Sequence, residues 1–131
     1  MEEIRVGGMY FSLDLSLPLY EQVLEQVRSS IAKGEIALGD KIPSVRELAQ
    51  ALKINPNTVM RAYQELEREQ LTETRRGQGT YITSDIAKVD LIRYRVADKA
   101  IEEFLSKMTG LGFETPEIDK LLRIKRGEAH E

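Results

Sequence analysis

The sequence predicts a mainly α-helical fold with a small β-hairpin, and three observations predict it. Apolar residues recur every three or four positions through most of the chain, which is the spacing of one face of an α-helix. Residues 72–83 are rich in threonine and contain Gly77 and Gly79, a composition typical of a tight hairpin. A last apolar stripe, over residues 86–108, predicts a long helix near the C-terminus.

The 131 residues suffice for one domain with a small appendage. We expect an N-terminal arm over residues 1–17, a main domain over 18–84 and a helical tail over 85–131. In the arm, apolar and polar residues alternate, which predicts an extended segment with one buried face, either an arm packed on the domain or a true strand. Its apolar members are Phe11, Leu13, Leu15 and Leu17.

Composition excludes several functions. The chain has no cysteine, so neither a disulfide framework nor thiolate chemistry is expected. No apolar run approaches the roughly eighteen residues of a membrane span, and the acidic start MEEIR differs from a secretory signal. The one histidine, His130, is the penultimate residue. We therefore expect a cytoplasmic protein with no membrane partner, no catalytic or metal site and no cofactor.

The first predicted helix begins at Pro18 and ends at Gly34, a residue that commonly terminates helices. Arg28 falls on its solvent side. The residues that follow predict a brief strand at 41–42. The apolar stripe of the helix comprises Tyr20, Val23, Leu24, Val27 and Ile31.

Residues 44–70 predict two short helices joined by a tight turn. Ser44 and Glu47 have the spacing of a capping box, in which each side chain binds a backbone N–H near the other. Asn55 is the expected N-cap of the second helix and Pro56 its first residue. The two apolar faces are Val45, Leu48, Ala49 and Leu52, and then Val59, Ala62, Tyr63 and Leu66.

The polar face of the second helix predicts contact with DNA. Asn57, Thr58 and Arg61 lie in its first two turns, and Gln64 follows one turn later. Asn pairs with adenine, Arg with guanine, and a Thr methyl contacts thymine. A helix-turn-helix places such residues in the major groove. Taken alone, these residues are equally consistent with a helical hairpin whose polar face is solvated.

The hairpin that follows carries Arg75, Arg76 and Gln78 near its tip. A basic tip beside a recognition helix can reach phosphate or the minor groove, although a solvated tip is the commoner case for such a hairpin alone. Three helices followed by a two-stranded wing is the order of a winged helix-turn-helix, and the joint occurrence favours DNA binding.

The charge distribution permits DNA binding without demanding it. The net charge is -3, yet residues 40–83 hold seven basic and six acidic groups. DNA binding therefore requires the basic residues to share one face, and a module that binds a protein instead of DNA is the alternative. The residues concerned are Lys41, Arg46, Lys53, Arg61, Arg75 and Arg76.

Residues 18–82 resemble the DNA-binding domain of the GntR family of bacterial transcription regulators. Three motifs carry the resemblance: G-E-I-x-x-G-D-K-I-P-S-x-R-E-L-A, N-x-x-T-V-x-R-A-Y-x-x-L and R-x-G-x-G-T-Y. Gly79 would then let the wing backbone approach the sugar-phosphate surface, and Tyr63 would pack its ring in the core with its hydroxyl near phosphate. The DNA contacts that the resemblance implies are Ser44, Arg46, Asn57, Thr58, Arg61, Gln78 and Gly79.

The tail predicts a dimer. Helices are expected over residues 85–107 and 116–126, and one helix cannot bury the stripe of the first on a small domain alone. A second copy of the chain is its natural partner, although packing against Ile118, Leu121 and Leu122 of the same chain is the alternative. The stripe comprises Ile86, Val89, Ile92, Val96, Ala100, Phe104 and Met108.

A tail this short is similar to that of the YtrA-like branch of the family, in which the tail dimerises the protein. The resemblance implies a sequence-specific regulator, expected to be a repressor, that binds a roughly palindromic operator as a homodimer. The alternative is a winged-helix protein-interaction module without specific DNA binding. Neither a large effector-binding domain nor an aminotransferase-like domain fits in the tail, and any effector is unknown.

Overall fold

The structure, a computed structural model, describes residues 2–128 and divides the chain into two compact units, Met1–Arg93 and Tyr94–Glu131. His130 lies outside the described residues. The elements are β1 (Glu3–Val6), β2 (Met9–Ser12), α1 (Leu19–Lys33), β3 (Lys41–Ile42), α2 (Val45–Leu52), α3 (Pro56–Arg68), β4 (Thr72–Arg75), β5 (Gly79–Ile82), α4 (Ile86–Gly110) and α5 (Thr115–Lys125). The predicted class, mainly α with a small β wing, is confirmed.

Local signals place the end of α1 and the starts of α2 and α3 as predicted, whereas α4 runs to Gly110, beyond the predicted end at residue 107. Helix α1 ends at Gly34, whose φ of 78° lies in the left-handed region that glycine adopts without strain. Helix α2 begins with the capping box of Ser44 and Glu47. Helix α3 has Asn55 as its N-cap and Pro56 at its first position. The turn between α2 and α3 is therefore three residues long.

The wing is a three-stranded antiparallel sheet in the order β3-β5-β4. Strand β3 pairs Lys41 with Tyr81, and β4 pairs Arg75 with Gly79. The tip consequently comprises residues 76–78, with Gly77 at a φ of 75°. The predicted hairpin and the brief strand at 41–42 thus belong to one sheet.

The core of the first unit lies between α1, α2, α3 and the wing. Its members are the apolar faces predicted from helical spacing, together with residues from the sheet. The largest fully buried side chains include Met9, Phe11, Ile42, Leu48, Leu66, Leu71 and Ile82.

The N-terminal residues form a hairpin of true strands, and its second strand ends at Ser12, so it covers only the start of the alternating segment. Strands β1 and β2 pair around Gly7 and Gly8, both at positive φ, and Met9 and Phe11 are fully buried. A Cβ on Gly7 would stand 2.8 Å from the ring of Pro43, so the tip packs tightly just before α2.

The predicted burial of Leu15 and Leu17 is wrong: their side chains are 73% and 55% exposed. The chain turns after Ser12, because Asp14 accepts hydrogen bonds from the backbone N–H and hydroxyl of Ser16. These bonds also lower the pKa of Asp14. A turn ends the alternation of side chains that an extended strand would have continued.

Helix α4 belongs to the first unit as far as Arg93. Val89 and Ile92, assigned above to the dimer stripe, are buried in the core of the first unit, at 4% and 6% exposure. This corrects their assignment, because a side chain enclosed by its own chain offers no surface to a second copy. Ile86 remains 55% exposed.

The second unit buries few of its apolar side chains. Ile118 on α5 is 4% exposed. Leu121 and Leu122, the other residues expected to pack against α4 if the stripe were covered within one chain, are 41% and 39% exposed. Within residues 2–128, no helix is long and apolar enough to cross a membrane. The other large exposed apolar residues of this unit are Tyr94, Val96, Ile101, Phe104, Leu105, Leu111 and Ile124.

Candidate nucleic-acid interface

The N-terminus of α2 presents Ser44 and Arg46 to solvent. The backbone N–H of Ser44 donates to Glu47 Oε1 at 2.8 Å, and the N–H of Glu47 donates to Ser44 Oγ at 3.0 Å. The bond from the Ser44 N–H is the main cause that lowers the pKa of Glu47. Ser44 Oγ acts here as an acceptor, so its hydroxyl hydrogen can still be donated to a phosphate.

The polar face of α3 is aligned as its spacing predicted. Asn57, Arg61 and Gln64 are exposed and Thr58 is half-buried, opposite the buried apolar face. The backbone N–H of Asn57 donates to Asn55 Oδ1 at 2.8 Å, which caps the helix without using the Asn57 amide. The side-chain donors of this face therefore remain available to a ligand.

Arg61 lies over an aromatic ring contributed by α1. Its guanidinium carbon is 4.3 Å from the centroid of the Tyr20 ring, a cation–π distance. Tyr20 is half-buried and packs against the core from the second position of α1. Helical spacing placed Tyr20 in the apolar stripe of α1 and gave no sign that its ring lies under Arg61.

Helix α1 also holds the C-terminal end of α3. Arg28, predicted on the solvent side, is half-buried and donates Nε to Glu69 Oε1 at 3.0 Å, with a second bond from its terminal nitrogen to Oε2. The hydrogen bonds to Glu69 raise the pKa of Arg28. The solvent-side prediction was wrong because the partner, Glu69, lies 41 residues away in sequence.

The wing presents the predicted basic tip. Arg75, Arg76 and Gln78 are exposed, and the Arg75 guanidinium carbon lies 4.0 Å from the ring centroid of Tyr81. Tyr81 is half-buried in β5. Both the recognition helix and the wing therefore carry an arginine that rests on a tyrosine of the same unit.

Gly79 lies beside Lys41 of the neighbouring strand. A Cβ at this position would stand 2.7 Å from Lys41 Cε, and its φ of +122° disfavours other residues. The end of the flexible Lys41 side chain thus occupies the space beside Gly79 in the free protein. Lys41 is one of the basic residues expected on a common face, and its position beside Gly79 makes it a candidate DNA contact at the wing.

The Tyr63 hydroxyl lies within the protein. It donates to the carbonyl oxygen of Pro43 at 2.7 Å, and burial raises the pKa of Tyr63. This bond uses the only proton of the hydroxyl, so Tyr63 has no hydrogen to donate to a phosphate while the bond is made. The bond joins α3 to the residue that precedes Ser44 and so fixes the recognition helix relative to the start of α2.

Among the described residues, Arg46, Arg61, Arg75 and Arg76 make no hydrogen bond or ion pair with another residue of the chain. The N–H groups of these exposed arginines, on a helix-turn-helix and its wing, provide the donors that phosphates and base edges accept. These features define the class: the first unit is a winged helix-turn-helix DNA-binding domain.

The chain belongs to the GntR family of bacterial regulatory proteins. The model of that family, described as "Bacterial regulatory proteins, gntR family", matches residues 19–82. An uncharacterized HTH-type transcriptional regulator of Bacillus subtilis, YhcF, is 41% identical over 103 residues, which span 79% of this chain and 85% of that protein.

The HTH-type transcriptional repressor YtrA of B. subtilis is 54% identical over 77 residues, 59% of this chain and 58% of that protein. A solved GntR family transcriptional regulator from Listeria monocytogenes superimposes with a TM-score of 0.78 at 37% identity, covering 85% of this chain and 97% of that one. These relatives support the YtrA-like assignment. The chain is therefore a transcriptional regulator with a DNA-binding domain, not an enzyme.

Proposed function

We propose that this chain is a cytoplasmic repressor that binds a roughly palindromic operator as a homodimer. The observation that supports operator recognition is the face formed by Asn57, Thr58 and Arg61 beside the basic wing. Asn57 and Arg61 are exposed, Thr58 is half-buried, and within residues 2–128 the side chains of Asn57 and Arg61 donate no hydrogen bond to the rest of the chain. The contacts assigned to DNA are Ser44, Arg46, Asn57, Thr58, Arg61, Arg75, Arg76, Gln78 and Gly79, and we add Lys41.

The second unit supports the homodimer. Many of its large apolar side chains are exposed, among them Tyr94, Phe104 and Leu111, and exposed apolar patches mark protein interfaces. A second copy is the partner that also places two recognition helices on one duplex. The half-sites are then expected about 34 Å apart or a multiple of this spacing. The interface residues retained are Ile86, Val96, Phe104 and Met108.

The repressor role is proposed from one relative, since B. subtilis YtrA is named a repressor. A repressor needs only to occupy its operator and exclude the transcription machinery. The small second unit is consistent with this simple mechanism.

Fluorescence anisotropy with labelled duplexes tests the proposal. Duplexes selected from a random pool are compared with scrambled duplexes over a range of salt concentrations. We expect two chains per selected duplex, preference over the scramble, and a log affinity that falls linearly with log salt. Absence of preference and of salt dependence would instead favour a module that binds protein.

Replacing Arg61 with alanine tests the recognition helix. If Arg61 reads a base, the binding free energy for the selected duplex becomes less favourable by roughly 1–3 kcal/mol. The fold and the oligomeric state should stay the same. Arg68→Ala is the matched control, because Arg68 lies on the same helix and bonds Glu65 at 2.8 Å. Equal affinities for wild type and Arg61→Ala would remove Arg61 from the interface.

A further inference from the structure

Arg61 occupies an unusual position for a residue that must reach DNA. Its guanidinium carbon lies 4.3 Å from the centroid of the Tyr20 ring, and the residue is nevertheless exposed. Within residues 2–128, its N–H groups make no hydrogen bond and no ion pair. The ring is therefore the one identified side-chain contact of this guanidinium.

A contact with an aromatic face leaves the hydrogen-bonding capacity of an arginine intact. The attraction acts between the positive charge and the ring face, whereas a base edge or a phosphate is bound through N–H groups. Arginine also has a large rotamer entropy that binding must overcome, and a side chain already held on a ring loses less of it.

Tyr20 lies on a helix, α1, that is bonded to α3. Tyr20 is half-buried against the core, and Arg28, two turns further along α1, binds Glu69 at the end of α3. Arg61 and Tyr20 are separated by the same 41 positions as Glu69 and Arg28. Two side-chain contacts eight residues apart, Arg61 with Tyr20 and Glu69 with Arg28, therefore connect α1 and α3 along this stretch.

We propose that Tyr20 is a positioning residue for DNA recognition that sets the orientation in which Arg61 meets the major groove. This inference rests on the proposed operator binding and deepens it. Tyr20 acts through Arg61 and needs no contact of its own with DNA. The aromatic ring of Tyr20 makes the contact, so a Tyr20→Phe variant should keep this role and a Tyr20→Leu variant should lose it.

A double-mutant cycle on the full chain tests the inference. The variants are Tyr20→Leu, Tyr20→Phe, Arg61→Ala and the double variant Tyr20→Leu/Arg61→Ala, each titrated with the selected duplex and checked for folding by thermal melting. We expect Tyr20→Leu to weaken binding roughly two- to tenfold, because DNA binding must then immobilise a rotamer-rich Arg61 side chain that no ring holds in place. Tyr20→Phe should retain wild-type affinity, because phenylalanine also presents a ring face to the guanidinium. The double variant should bind like Arg61→Ala alone.

Tyr10→Leu is the matched control, because Arg5 lies over the Tyr10 ring at 5.3 Å in the N-terminal hairpin. Tyr10 lines a small cavity of about 200 Å³ with Gln26 and Lys33, beside the C-terminal half of α1. This variant removes the same kind of contact from another site, and its DNA affinity should equal that of wild type.

A measurement without DNA separates this inference from the proposed function. In the free protein, ring currents of Tyr20 should shift the Arg61 Nε–H resonance, identified by its loss in Arg61→Ala. Tyr20→Leu should return it toward the ordinary position, and Tyr10→Leu should leave it unchanged. An unshifted resonance in the wild type would overturn the inference whatever the DNA result.

In the DNA-binding measurements, two outcomes would overturn the inference. One is a double variant whose loss of affinity equals the sum of the two single losses, and the other is a Tyr20→Leu variant with wild-type affinity. A wild-type chain that binds DNA without sequence preference would overturn specific operator binding alone, and the cycle on that duplex would still decide the role of Tyr20. A chain that binds no DNA would overturn both.

Discussion

The Tyr63 side chain links recognition to stability through one buried hydroxyl. Its bond to the Pro43 carbonyl fixes α3 against the start of α2, and burial raises the pKa of Tyr63. A raised pKa means that the folded state opposes ionisation. The contribution of Tyr63 to the free energy of unfolding is therefore complete at a pH below the ordinary pKa of tyrosine, and it is lost as the pH rises above that pKa.

Tyr63→Phe should accordingly be less stable than wild type near pH 8, by about 1 kcal/mol, because the Pro43 carbonyl loses its donor. Between about pH 8 and pH 11 the wild type should lose more stability than the variant, which has no hydroxyl to ionise at this position. Urea unfolding at both pH values measures the difference. Equal losses of stability in the wild type and in Tyr63→Phe over this pH range would contradict the burial of the Tyr63 hydroxyl.

Thr72 and Thr83 form a second test at the level of single side chains. Thr72 Oγ1 is buried without a hydrogen-bond partner among the described residues, whereas Thr83 Oγ1 accepts from the Asp85 N–H at 3.1 Å. Thr72→Val should raise the free energy of unfolding by about 1 kcal/mol, and Thr83→Val should lower it by a similar amount. Chemical denaturation would show opposite signs, and a destabilised Thr72→Val would indicate that its hydroxyl has a partner.

Between helices, the pair of Arg28 and Glu69 joins α1 to the end of α3. Their side chains are 22% and 14% exposed, so each shields the other from water. Arg28→Met should cost roughly 1–3 kcal/mol of stability, because it leaves a half-buried carboxylate without its partner. Glu69→Gln should cost less, since the amide oxygen can still accept a hydrogen bond.

Arg68→Met is the control for that prediction. Arg68 pairs with Glu65 on the same helix, but its side chain is 77% exposed. Ion pairs in water contribute little, so a change of no more than about 0.5 kcal/mol is expected. Thermal or urea unfolding distinguishes the two variants, and equal effects would show that burial of the Arg28 pair contributes nothing.

The assembly of the whole protein depends on the second unit. Phe104 is 37% exposed on α4 and belongs to the proposed interface. Phe104→Glu should convert a dimer of 14.9 kDa chains into monomers, because the carboxylate would be buried without a partner. Ser106→Glu places the same charge on an exposed position of another face of α4 and should leave the dimer intact.

Light scattering with size-exclusion chromatography measures the mass of both variants. A monomeric wild type, or a Phe104→Glu variant that remains dimeric, would refute this interface. Monomeric Phe104→Glu should also lose affinity for the full palindrome while retaining weak binding to one half-site, since each chain keeps its own recognition helix.

Much of the fold was predictable because its signals are local. Ser44 with Glu47, Asn55 with Pro56, and Gly34 each act within four residues, so helix ends can be identified without knowledge of the rest of the chain. Leu15 and Leu17 show the limit of this approach. Their alternation continued in the sequence while the backbone had already turned at Asp14.

The candidate site was predictable in its residues but not in its contacts. Asn57, Thr58 and Arg61 follow from helical spacing, yet no spacing reveals that Tyr20 underlies Arg61. In the same way, the glycine pattern marked Gly79 without indicating that Lys41 fills the space beside it.

By itself, the amino-acid sequence determined the helices, the caps of α1, α2 and α3, the basic wing and the family, because periodicity, caps and motifs act over short stretches of chain. The tertiary structure alone decided that Arg28 binds Glu69, that the Tyr63 hydroxyl binds Pro43, and that Val89 and Ile92 belong to the core. These outcomes depend on which distant side chains meet when α1, α3 and α4 pack. Burial and partner are properties of that packing and cannot be read from neighbouring residues.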